Sequence, residues 1–153
     1  MNEILKILNS DNKSQIKAVF LFNKDLDGEL IRKKFNYWSK YFFPQFFDSK
    51  DTDFHKKIDE GNIGVYLKGD NFLDIGFRGC SKTTRTKLFI AFVIANDESH
   101  YRKYFKVLSK DIGNAKQSTT DVYNMLISRR VKALYPEIFE KTEAKREETM
   151  SSF

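Results

Sequence analysis

Gly76-Phe77-Arg78-Gly79-Cys80-Ser81-Lys82-Thr83 carries the spacing G-x-x-x-x-G-K-[ST], with Ser81 standing where the second glycine belongs. In that pattern successive backbone N–H groups form a nest for phosphate oxygens, and the N-terminus of the following helix adds its own donors. Lys82 would reach the β- and γ-phosphates of ATP, and the Thr83 hydroxyl would help to hold Mg²⁺. Gly76, Phe77, Arg78, Gly79, Cys80 and Ser81 would wrap the phosphates, with Thr84 at the start of the helix beside them. Serine is small enough for this, provided its backbone angles are ones a non-glycine residue can take. The alternative is a glycine-rich turn that only joins a strand to a helix.

The motif needs a strand leading in and a helix leading out. Asn71 to Ile75 predicts the strand, Thr84 to Ala95 the helix. Earlier, Ile31, Phe35, Trp38 and Phe42 fall at helical spacing, which predicts an amphipathic helix over Asp25–Phe43 closed by Pro44, its aromatic stripe belonging to the core. Asp51 or Thr52 caps a short helix through Glu60 that Gly61 stops, with His55 expected to pack or to cap. Ile63–Leu67 and Phe72–Ile75 read as short strands about the turn at Lys68-Gly69-Asp70-Asn71, and Tyr104–Ser109 as a further strand. Asp111 to Arg130 reads as a long helix, and Pro136 starts a helical turn through Phe139. Strands alternating with helices predict an α/β fold, an incomplete P-loop NTPase-like parallel sheet with flanking helices behind an aromatic-rich helical N-terminal segment. The expected organisation is a helical segment over 1–60, a partial ATPase core over 61–140 and a charged tail over 141–153.

Arg78-Gly79-Cys80-Ser81-Lys82-Thr83 resembles the P-loop of the large subunits of phage DNA-packaging terminases, in which an arginine lies four residues before the lysine and a small residue often precedes it. Phe42-Phe43-Pro44-Gln45-Phe46-Phe47 with Asp53-Phe54-His55 is similar to that family's aromatic-proline segment and its F-H pair. Val107 to Ala115 resembles its second strand and the helix after it. The resemblance covers roughly Phe35 to Phe153. It implies an ATP-binding segment of a motor that drives viral DNA into a capsid, with Arg78 stabilising charge on the γ-phosphate beside Lys82. It also implies Gln45 or His55 near the adenine. The implied partners are double-stranded DNA, the portal or capsid and the small terminase subunit, with several copies assembling in the full motor. The implied location is the cytoplasm of an infected bacterial host.

Composition sets wider limits. At 153 residues, with 41% hydrophobic residues, 15 Phe and 7 Tyr, the chain can bury a sizeable core. One cysteine, Cys80, excludes an internal disulfide framework and suits a reducing compartment. Met1 to Lys6 is polar-interrupted, unlike a signal peptide, and no apolar run approaches a membrane span, so a soluble protein without a membrane partner is expected. A net charge of +6 permits a nucleic-acid partner. Its basic clusters, Lys82/Arg85/Lys87, Arg102/Lys103/Lys106 and Arg129/Arg130/Lys132, read as solvated faces.

A P-loop ATPase also needs a hydrophobic strand ending in acidic residues that hold the metal and activate water. Phe92 to Glu98 imitates that pattern, but it begins only about ten residues after Lys82, too few for a helix and a return crossover. Those residues belong to the P-loop helix. With no other acidic strand before Phe153, the chain is expected to bind ATP without turning it over by itself. A nucleotide-binding or regulatory module without turnover, and a basic DNA- or protein-interaction domain, are the competing readings.

Overall fold

The computed structural model describes residues 2–47, 50–69, 81–101, 105–106, 108–109 and 111–140. Helices make up 74% of these residues, and no sheet forms among them. The helices are α1 (Asn2–Leu8), α2 (Lys13–Phe20), α3 (Gly28–Phe42), α4 (Asp53–Lys68), α5 (Lys82–Asn96), α6 (Ile112–Leu126) and α7 (Arg129–Leu134). A 3₁₀ turn over Pro44–Phe46 follows α3, and a last helical stretch covers 136–140.

This overturns the α/β expectation. Ile63–Leu67, read as a strand, is the second half of α4, which runs through Gly61 and ends at Gly69 in a left-handed conformation (φ 73°). The physical reason is a helical face: Ile58, Asp59, Ile63 and Tyr66 are all buried at helical spacing, and that burial outweighs the cost of about 1 kcal/mol for a glycine inside a helix. Gly69 then supplies the left-handed C-terminal residue that Gly61 was expected to supply. The strand expected over Phe72–Ile75 lies outside the described residues. So does Tyr104, and of the strand expected from there to Ser109 the described residues 105–106 and 108–109 form no ladder.

Elsewhere local pattern and fold agree. Asp27 caps α3, its carboxylate accepting from the Glu29 N–H at 2.9 Å. The stripe Ile31, Phe35, Trp38 and Phe42 is buried throughout. Thr52 begins α4, and its N–H donates to Nδ1 of His55 at 3.2 Å, so His55 is a capping residue. The expected single helix over Asp111–Arg130 is two: α6 ends at Leu126, and α7 starts after Ser128.

The core is aromatic. Phe22 and Phe92 stack with ring centroids 4.9 Å apart, and Phe35, Trp38 and Phe89 close round them edge-on or tilted. α5 is the central element, packed against α3, α4 and α6. Leu88, Phe89, Ala91, Phe92 and Val93 are buried along it. Its C-terminal end is tied to the segment after α2: the Phe22 N–H donates to the Asn96 carbonyl at 3.1 Å and the Glu98 N–H to the Phe22 carbonyl at 2.9 Å, a single parallel bridge. Phe92–Asn96 is helical, as the crossover argument required.

Candidate functional site

Of the residues assigned to phosphate binding, Gly76, Phe77, Arg78, Gly79 and Cys80 lie outside the described residues, whereas Ser81, Lys82, Thr83 and Thr84 form the start of α5. Ser81 is the N-cap, in a left-handed conformation (φ 60°, ψ 8°), and its carbonyl accepts the first helical bond from the Arg85 N–H at 2.9 Å. The Ser81 side chain makes no cap hydrogen bond among the described residues, and no acidic residue lies in the first turn of α5. The first N–H groups of a helix lack intrahelical acceptors and carry the positive end of its dipole. The start of α5 is thus an anion-attracting end with a lysine and two threonines on its first turn.

Two cavities flank that turn. One, of about 250 Å³, is lined by Lys82, Thr83 and Thr86 of α5, with Ser118 and Val122 of α6 opposite. The other, of about 390 Å³, brings Thr84 beside Phe43, Gln45 and Phe46, with Asn124 and Met125 of α6 on the far wall. Lys87 borders both, and its ammonium is bound to Asp121 at 2.6 Å. Asp121 also accepts from Gln117 at 2.8 Å, and these bonds, that from Lys87 first, hold its carboxyl below the usual carboxylate range. Gln45 therefore shares a cavity with the α5 N-terminus. His55 lines neither cavity.

Arg85 is the residue that sequence reading misplaced. Assigned to a solvated face, it is only 4% exposed. Its Nε and Nη2 donate to the two oxygens of Asp59 at 2.9 and 2.6 Å, and its Nη1 donates to Asp51 at 2.8 Å. The Phe47 ring lies 5.5 Å from the guanidinium carbon. A buried guanidinium is tolerable because two carboxylates meet it in bidentate and end-on geometry. Burial pushes the Asp59 carboxyl above its ordinary range, with the bonds from Arg85 working against it. Burial acts upward on Asp51 too, but the charges and hydrogen bonds of Arg85 and Lys40 prevail and hold its carboxyl low. Nothing local marks Arg85 as different from Lys82 or Lys87. Its partners lie 26 and 34 residues away in sequence.

The acidic pair Asp97-Glu98 has a structural explanation. The Asp97 carboxylate accepts from the N–H groups of Ser99 and Tyr101 at 2.9 and 3.0 Å, closing the turn after α5. Among the described residues no group of three or more His, Cys, Asp or Glu is placed to hold a metal ion, and no helix is long and apolar enough to cross a membrane. No protein-family model, no curated protein and no solved structure matches the chain.

Proposed function

We propose that the chain binds nucleotide phosphates at the N-terminal turn of α5. We further propose, on the resemblance of its residues to phage terminases, that it serves as the ATP-binding segment of a DNA-packaging motor. The observation that carries the first reading is the junction at Ser81. The motif residue that replaces glycine takes a backbone conformation glycine adopts freely, and it delivers Lys82 and Thr83 onto the first turn of a helix. The residues present fit a phosphate: the N-terminal end of a helix dipole, a lysine, no acid in the first turn, and the Thr83 and Ser118 residues on the adjoining cavity. Thr83 is the residue that would carry Mg²⁺, and bound ATP would supply the phosphoryl group whose transfer drives such motors. Arg78 and the loop over 76–80 would complete the nest. Double-stranded DNA, the portal or capsid and the small subunit are the partners this reading proposes, in an infected bacterial cell.

A second reading is a helical interaction module without nucleotide. It is favoured by α5 packing among helices α3, α4 and α6, where a nucleotide-binding P-loop helix would cover a sheet. Calorimetric titration of Mg²⁺-ATP into the wild type and Lys82→Ala separates the two. Tighter binding by the wild type is the expected result, and equal heats from both would sink the phosphate site.

A further inference from the structure

On the side of the molecule where α2, α3 and α7 meet, an open groove of about 340 Å³ has an apolar floor. Ile16, Phe42 and Leu134 are buried along it, and Tyr41 and Ala133 form its walls. Lys13 and Arg130 stand on the rim, both exposed. Among the described residues no acidic residue lines this groove, and neither rim cation makes an ion pair or a side-chain hydrogen bond. The contrast with Lys17, one turn along α2 from Lys13, is informative. Lys17 is bound to Glu137 and lies over the Tyr135 ring, so its charge is met within the fold. The two cations at the groove are left facing solvent above an apolar floor.

We infer that this groove docks a short acidic peptide segment of a partner protein, one that inserts a large apolar side chain between α2 and α7 and sets flanking carboxylates against Lys13 and Arg130. Charge complementarity selects the occupant. An apolar anchor accounts for the floor, and carboxylates on either side account for two unpaired cations at its mouth. A nucleic-acid strand fits less well. Stacking needs an open aromatic face, whereas the Tyr41 ring is packed edge-on against Phe42 at 4.9 Å, and a phosphate track needs a row of cations longer than two. The groove shares no lining residue with the two cavities at the start of α5, so this inference stands apart from the nucleotide reading.

The test is fluorescence anisotropy on the full chain with a labelled hexapeptide that carries leucine and phenylalanine between two pairs of glutamates. The comparison probes are the same peptide with glutamines for the glutamates, a hexaglutamate, a labelled single-stranded oligonucleotide and anionic phosphatidylglycerol vesicles. Saturable binding of the acidic-apolar peptide above all four is expected. The Lys13→Glu/Arg130→Glu double variant should weaken it roughly tenfold or more, given two reversed rim charges. Ala133→Trp, which fills the groove from an exposed position, should block it. Circular dichroism melting checks that the variants fold. Amide shifts of Ile16, Ala133 and Leu134 in the wild-type chain locate the peptide without any variant. The proposal is overturned by absence of binding, by shifts elsewhere on the surface, by hexaglutamate binding as well as the apolar peptide, or by a preference for the oligonucleotide or the vesicles.

Discussion

The Arg85 guanidinium and the Asp59 carboxylate form a bidentate pair inside the protein, Nε to Oδ1 at 2.9 Å and Nη2 to Oδ2 at 2.6 Å, with side chains 5% and 1% exposed. It joins α5 to α4, and through Asp51 it also fastens the segment that leads into α4. Removing Arg85 strands the Asp59 carboxyl in the core, and removing Asp59 leaves the buried guanidinium with the single carboxylate of Asp51. Arg85→Met or Asp59→Leu alone should therefore cost about 3–5 kcal/mol in urea unfolding, while the double variant should recover much of it. A pair of additive single losses would show that the two side chains do not act as a unit.

Asp51 gives the network a pH signature. Its carboxyl is held below its ordinary value in the folded chain by Arg85 and Lys40, against the upward effect of burial. Its contribution to stability is therefore fully present above the unfolded value of about 4, and is lost as pH falls through the lower folded value. Asp51→Asn should destabilise the protein at neutral pH, and the gap from wild type should narrow as the medium is acidified below about pH 4. A gap that stays constant down to the acid transition would contradict the assigned direction.

At Ser81 the left-handed backbone penalises every side chain, by about 1–2 kcal/mol, more for a β-branched one. Ser81→Gly removes that penalty but adds glycine's greater freedom in the unfolded chain, worth about 0.5–1 kcal/mol, so stability should be unchanged or slightly raised. Ser81→Val should lower the melting temperature and weaken ATP binding together. Valine matching serine in both measurements would mean that this junction neither requires the left-handed conformation nor wraps a phosphate.

The Tyr135 hydroxyl donates to Oδ1 of Asn96 at 2.5 Å, and the Asn96 amide donates onward to the Phe92 carbonyl at 2.9 Å, all three within the core. Burial pushes the phenol well above its usual range, so it stays protonated as a donor. Tyr135→Phe leaves a buried amide oxygen unsatisfied, at a cost of about 1–3 kcal/mol. Thermal unfolding should show the loss, and unchanged stability would mean that water reaches Asn96.

The sequence by itself determined the elements whose information is local. The spacing of Ile31, Phe35, Trp38 and Phe42 identified α3 and its buried face, and the chain length between Lys82 and Phe92 ruled out a strand there and left α5. The helix expected from Thr84 begins two residues earlier, at Lys82. Short apolar runs were not: Ile63–Leu67 is compatible with either period, and only the burial of Asp59, Ile63 and Tyr66 against neighbouring helices selects the helix. No element was assigned before Asp25, yet α1 and α2 exist, and Ile16 and Phe20 of α2 are buried in the core. The tertiary structure alone decided which cations are solvated and which are inside. Lys13, Lys87 and Arg85 look alike in a charge pattern, but one faces solvent, one meets Asp121 and one is enclosed by Asp59 and Asp51. The physical reason is that a charge is placed by its partners, and here those partners lie tens of residues away along the chain, beyond the reach of any local period.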